Sequence, residues 1–381
     1  MTMVAGAIDR LFSPFELIGL ELGNRFVMPA MQRGQCEQGR PSSQMADYYR
    51  SRVNGGISLV IGEGAAVGHP SSTSQEGAAT LSPIALEGWK ESIDAVERAG
   101  GRMLIQLWHE GAVRKELSSS SPSLSPSGLI QAGVPNGRAA TAEELDELKA
   151  AYVHGALAAQ SIGASGVEVH AAHGYFLDLF LWEETNQRSD GYGGSDIRQR
   201  VRYPAEIVSA IREEVGEDFV ISFRFSQWKE VDFDAAIVDT PEELSVMLDV
   251  LCGAGVDVFH ASTRRILDAE WPERSALGLA GWTKKLSRMP VIAVGSVGLD
   301  TDLMDNLFGK EAIPTGEAGL SSVARKLEDG EFDLVSVGRA VIGDADWVKK
   351  VHQGRWAEMR PFCKDDMMQE WEMGFVLDAH Q

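Results

Sequence analysis

Short apolar runs alternate with longer amphipathic stretches along most of this chain. The runs cover residues 26–31, 57–63, 103–108, 167–170, 220–225, 256–261, 291–294 and 334–337. Apolar runs of about four to eight residues read as strands buried on both faces, and the stretches between them as helical crossovers. Eight such units close a barrel, so the predicted fold is α/β, a (β/α)8 TIM barrel forming a single domain over residues 1–381.

Helix ends are legible in several places. Thr141 opens a T-A-E-E capping box before the stripe Leu145, Leu148, Tyr152. Thr240 opens a second, with Pro241 at the first helical position and Gly253 placed to end the helix. Trp89, Ile93 and Val96 form another stripe, and Pro204 predicts a late start or a kink after Ile197. A doubly wound sheet would need a G-x-G-x-x-G turn directly after a strand; GYGGSD at 191–196 does not follow an apolar strand, so no dinucleotide-binding Rossmann domain is read. SSSSPSLSPSG at 118–128 cannot pack a core and reads as a surface loop or part of a lid, within an excursion over 111–140 that follows strand 3.

Composition narrows the class. With 381 residues, 44% of them hydrophobic, the chain can bury one large core. No apolar run of about 18 residues occurs, which argues against a membrane span. MTMVAGAIDRLF carries no basic start followed by an apolar stretch, so no signal peptide is expected. Cys36, Cys252 and Cys363 are odd in number and far apart, which fits a reducing cytoplasm. A formal net charge of −21 disfavours nucleic acid and anionic membrane surfaces as partners.

The densest chemistry lies at 167–195, VEVHAAHGYFLDLFLWEETNQRSDGYGGS. His170, His173 and Tyr175 follow a strand at the end where barrel enzymes do their work. Two chemistries are open to the histidine pair. It could ligate a metal, which requires a third ligand from another loop, or donate N–H groups to a substrate oxygen.

Five blocks in family order resemble the Old Yellow Enzyme family of FMN-dependent ene-reductases. They are NRFVMPAMQR (24–33), YYRSRVNGGISLVIGEG (48–64), QLWHEG (106–111), the HAAHGYFLDLFL…NQRSDGYGGS segment, and FDLVSVGRAVIGDADWVKK (332–350). The resemblance implies that His170 and His173 bind a substrate carbonyl while its β carbon accepts a hydride from reduced FMN. Tyr175 would protonate the α carbon. It implies flavin contacts from Ala30, Met31, Gln32, Gly64, Gln106 and Arg224, with phosphate contacts from Gly295, Ser296, Gly338 and Arg339. NAD(P)H would be a transient co-substrate using the same cleft as an enone-type small molecule, in a ping-pong cycle of the single-domain kind. Gln32 departs from the Thr or Cys common in the family, and Cys36, four positions on, is not assigned that role. The loops at 226–235 and 262–275 are atypical and border the predicted pocket, where Trp228, Trp271 and Trp371 are candidate lining residues. The tail at 352–381 has two readings, a cap on its own barrel or a contact within a homo-oligomer.

Overall fold

The computed structural model describes residues 4–115 and 121–368. Eight parallel strands form the barrel: β1 (Phe26–Met28), β2 (Leu59–Ala66), β3 (Arg102–Trp108), β4 (Gly166–His173), β5 (Val220–Lys229), β6 (Val258–Ser262), β7 (Val291–Val294) and β8 (Leu334–Ser336). Each pairs with the next, and β1 pairs with both β8 and β2, which closes the sheet. Between them run α1 (Ser43–Asn54), α2 (Leu86–Arg98), α3 (Ala142–Ser161), α4 (Arg202–Val215), α5 (Pro241–Ala254), α6 (Leu279–Ser287) and α7 (Gly316–Glu328). The fold is the predicted (β/α)8 barrel.

Alternation along the strands sorts side chains between two environments. Val60, Met103, Val167, Ile221, Phe259 and Val335 pack outward against the helices. Val27, Ile61, Leu104, Val220, Val258 and Ile292 fill the lower interior, which is sealed by Leu17 and Leu22 of the hairpin Phe15–Leu17/Leu20–Leu22. One strand period higher, the interior turns polar.

Strand limits differ from the sequence pattern where chemistry intervenes. β1 ends at Met28 because Pro29 has no N–H for the ladder. β4 and β5 continue past their apolar runs to His173 and Lys229, which stand opposite one another after an irregularity at 171–173. The polar side chains that end the apolar pattern find partners inside, so the ladder goes on.

The helix signals hold with two corrections. Thr141 and Glu144 form the full reciprocal box, Glu144 N–H to Thr141 Oγ1 at 3.2 Å and Thr141 N–H to Glu144 Oε2 at 2.9 Å. Thr240 forms only half of one: its Oγ1 accepts the Glu243 N–H at 3.2 Å, but the Glu243 carboxylate takes the N–H of Asp239 instead. Gly253 lies inside α5. Gly255 ends it with φ +104°, and a Cβ there would press on Arg212 Cγ at 3.0 Å. Helix Ile197–Arg200 breaks before α4, leaving Pro204 in the first turn of α4, where its missing N–H costs nothing. Among the described residues no helix is long and apolar enough to cross a membrane.

Candidate active site

A cavity of about 750 Å³ opens at the C-terminal ends of the strands, and the thirteen residues that the sequence assigned to catalysis or to flavin binding all line it. They come from β1 (Ala30, Met31, Gln32), β2 (Gly64), β3 (Gln106), β4 and its turn (His170, His173, Tyr175), β5 (Arg224), β7 (Gly295, Ser296) and β8 (Gly338, Arg339), or from the loops that follow.

The floor is a buried polar ring. Glu168 accepts from Gln106 Nε2 at 2.9 Å, Ser222 Oγ at 3.0 Å and His260 Nδ1 at 2.7 Å. Burial alone would raise a carboxyl, but His260, Arg224 and these donors hold Glu168 down at about 2, so it is ionised. His260 is neutral: burial outweighs the pull of Glu168, and its Nε2 has no partner. The carboxylate forces Gln106 to aim its NH₂ inward. That group also lies 3.4 Å from His170 Nδ1, which leaves the proton of His170 on Nε2.

A left-handed turn shapes the wall. His173 has φ +67° and Gly174 φ +89°, a conformation costing about 1–3 kcal/mol at a non-glycine residue. The turn is held from three sides. His173 N–H donates to Ser226 Oγ at 2.9 Å, Gly174 N–H to Asp178 Oδ2 at 2.6 Å, and Glu230 N–H to the His173 carbonyl at 3.2 Å. Asp178 pairs in turn with Lys229 at 2.8 Å, both side chains fully buried. The turn folds Tyr175 back so that its ring lies 5.1 Å from His170 and 5.6 Å from Trp108. His170 and His173 stand 5.3 Å apart, and Trp228 packs on His173 at 4.7 Å.

Burial, reinforced by Arg224, pushes His170 down to about 3 and His173 well below its ordinary value. Both imidazoles are therefore neutral at physiological pH. Each offers a single N–H, and His173 Nε2 also lies 2.8 Å from Ser262 Oγ. Burial lowers Arg224 too, with Glu168 opposing. Burial, then the neighbouring Glu230, raises Tyr175 well above its usual value, so it carries its proton.

Several groups await a partner. Both ends of the Gln32 amide and Nε of Arg224 are buried with nothing to bond, although buried polar groups are almost always paired. They line the cavity together with Gly64, where a Cβ would sit 3.2 Å from Gln106 Oε1. A planar ligand with alternating donors and acceptors, as a flavin has, fits this set. Arg339 behaves differently. Its guanidinium donates to the Asp302 carbonyl at 2.9 Å, to Ser296 Oγ at 2.9 Å and to Asn306 Oδ1, bracing the 301–306 segment beside Gly295 and Gly338.

The excursion after β3 reaches the cavity through Ile130, Gln131 and Val134, which belong to the hairpin Leu129–Gln131/Val134–Pro135. Residues 118–120 of the serine-rich stretch, and Trp371, lie outside the described residues. A second rim, after β7, brings Leu303, Met304 and the exposed Phe308. Nothing in the strand pattern signalled it. Trp228 lines the cavity, while Trp271 packs on Trp282 at 5.8 Å and does not line it. Sequence reasoning also passed over Glu168, Asp178, Lys229, Glu230 and His260. A signal existed, since Glu168, Asp178 and His260 are ionisable residues inside apolar runs. Among the described residues no three or more His, Cys, Asp or Glu side chains gather to hold a metal ion.

The sequence pattern of the NADH:flavin oxidoreductase / NADH oxidase family matches residues 10–358. An NADH oxidase of Thermoanaerobacter brockii is 32% identical over 369 residues, covering 92% of this chain and 52% of that protein, so the chain spans about half its length. The 12-oxophytodienoate reductase 7 of Oryza sativa subsp. japonica is 28% identical over 367 residues, covering 89% of this chain and 87% of that protein. Morphinone reductase in complex with tetrahydroNAD superposes with a TM-score of 0.77 at 24% identity, covering 97% of this chain and 99% of that one. A point mutant of morphinone reductase with the same ligand gives 0.76 at 25%, covering 94% and 93%. Together with a barrel whose strand ends gather the residues of the five sequence blocks, these likenesses establish that the chain belongs to the NADH:flavin oxidoreductase / NADH oxidase family, the Old Yellow Enzyme family.

Proposed function

We propose that this protein is an FMN-dependent ene-reductase that uses NAD(P)H to saturate the C=C bond of α,β-unsaturated carbonyl compounds. The observation that carries this reading is a pair of neutral imidazoles and a protonated phenol facing one cavity, beside a wall of unpaired donors and acceptors. Ala30, Met31, Gln32, Gly64, Gln106 and Arg224 would hold the flavin ring, and Gly295, Ser296, Gly338 and Arg339 its phosphate end. Bound FMN supplies a hydride relay between NAD(P)H and the substrate.

The chain's own residues prepare the substrate. His170 and His173 donate N–H groups to its carbonyl oxygen, where negative charge grows as the β carbon gains a hydride. Fixed donors in a dry site favour that charged state over the ground state. Neutral imidazoles keep this role across the physiological range, since neither titrates there. Tyr175 delivers a proton to the α carbon from the position that its left-handed turn imposes. Trp228, Ile130 and Val134 give the cavity apolar lining that would help keep water from the reacting atoms. NAD(P)H and substrate would use this cavity in turn, in a ping-pong order, and the excursion after β3 would act as its lid.

An anaerobic visible spectrum of the purified protein tests the reading. A flavin band bleached by NADH or NADPH and restored by 2-cyclohexenone is the expected result. A protein that stays colourless after FMN is supplied would overturn it.

A further inference from the structure

Tyr175 is 8% exposed, enclosed by Trp108 and His170. A phenol that has given up its proton in such a place is a phenolate cut off from bulk water. It must be reprotonated before the next turnover, and the two neighbouring imidazoles are neutral and offer no excess proton. Glu110 faces Tyr175 electrostatically, but its carboxylate is committed to Ser74 N–H at 2.6 Å and Gln75 Nε2 at 2.9 Å.

Glu230 is placed differently. Its two carboxyl oxygens each lie 3.4 Å from the Tyr175 hydroxyl, and among the described residues Tyr175 is the carboxyl's one hydrogen-bond partner. Its backbone N–H bonds to the His173 carbonyl, so the turn that sets Tyr175 also sets Glu230. The residue is half-buried and lines the cavity next to the loop 231–234, which reaches solvent at the exposed Asp234. It therefore touches both the isolated phenol and the wet mouth.

We propose that Glu230 is the proton source for Tyr175. After Tyr175 passes its proton to the substrate carbon, the Glu230 carboxyl gives its own proton to the phenolate, and a proton from water at the mouth restores the carboxyl. The balance is one hydride from NAD(P)H and one solvent proton added across the C=C bond. This role rests on the ene-reductase reading. The charged and titratable groups facing Glu230 are Arg224 from β5 and Tyr175 from the β4 turn, while Lys229 beside it is paired with Asp178. Burial lifts Glu230 to about 7 against the opposing effects of Tyr175 and Arg224, so near neutrality the group is both loaded and rechargeable. As pH rises through that value the carboxyl empties, and proton delivery slows.

Two measurements test the role. Infrared spectroscopy of the resting holoprotein should show, besides the band of the Glu63 carboxyl, a protonated-carboxyl band of Glu230 below neutral pH that fades above it. The band should be absent in Glu230→Gln and shifted in Tyr175→Phe, which removes the hydrogen bond. No such band, or one indifferent to Tyr175, overturns the proposal without reference to turnover. In stopped-flow reoxidation by 2-cyclohexenone, Glu230→Gln should slow the step on the order of tenfold, short of the 10²–10⁴-fold for a general acid removed outright, and flatten its fall with pH. In the Tyr175→Phe background the same change should add nothing, and a further tenfold loss there would place the effect of Glu230 elsewhere. A holoprotein that no enone reoxidises sinks the ene-reductase reading, while the infrared result still reports on the Glu230–Tyr175 pair.

Discussion

In the lower barrel, Leu104, Val220 and Val258 meet other apolar side chains and need only to fill space. One strand period higher on the same faces, Gln106, Ser222 and His260 converge on Glu168 with distances between 2.7 and 3.0 Å. The same strands thus carry two layers under different rules. Apolar packing is non-directional and accepts shape changes at a moderate cost. A buried polar network is directional, and each partner removed leaves a desolvated group behind. The lower layer closes the barrel, and the upper layer orients the groups that face the cavity.

Breaking the upper half should have the largest effect. Lys229→Met strands Asp178 as an unpaired buried charge, and removing one partner of such a pair costs about 3–5 kcal/mol. We expect that loss in urea denaturation, together with loss of enone reduction, because Asp178 also holds the Gly174 N–H. A variant as stable as the parent would mean that the pair does not hold the turn. His173→Ala should keep fold and flavin but lower kcat for enone reduction by about 10²–10³-fold, the range for one lost oxyanion donor. Unchanged turnover would remove His173 from carbonyl binding.

The lower half should answer in the opposite currency. Leu104→Ala leaves a cavity in a fully buried layer and should cost about 3 kcal/mol of stability, with kcat per folded molecule unaltered. A fall in kcat there would show that the two layers are coupled. Acid should sharpen the contrast further. His170 and His109 are both held at about 3, and His173 and His260 are lowered as well, so from about 6.5 downward the unfolded chain binds more protons and these groups destabilise the fold. Glu63 and Glu230, raised to about 7, and Asp178, raised to about 6, act in the opposite sense from about 7 down to about 4.5, where the folded chain binds more protons. Below 4.5 that gain is complete, and Glu168, held at about 2, adds to the loss. Denaturation midpoints should therefore vary little between about 7 and 4.5 and fall steeply below. A steep fall beginning near 6.5 would mean that the raised carboxyls do not offset the histidines. The smallest effect expected is that of Thr141→Ala, about 1 kcal/mol from one lost helix cap on the outer layer, with no change in kcat.

How far the site was legible depended on the kind of signal. Strand ends are local, and His170, His173, Arg224 and Gln106 all sit near the ends of runs visible in the sequence. Arg224 stands opposite His170 in the ladder, a register that follows once the two strands are neighbours. Gly253 was misplaced as the helix stop because two glycines lie within three positions, and only the left-handed backbone at Gly255 separates them. The β7 rim escaped because Leu303, Met304 and Phe308 carry no strand or barrel signature.

Periodicity and the blocks determined the number of strands, the face each residue takes, and the residues that meet at the C-terminal end. Burial is written locally, because alternation with a period of two or 3.6 is a property of neighbours in the chain. Partnership is not. Asp178 meets Lys229 across 51 positions, Tyr175 meets Glu230 across 55 and Glu168 meets His260 across 92. Those pairings, and with them the neutral imidazoles, the ionised Glu168 and the elevated Glu230, exist only once the closed sheet excludes water and brings distant strands side by side.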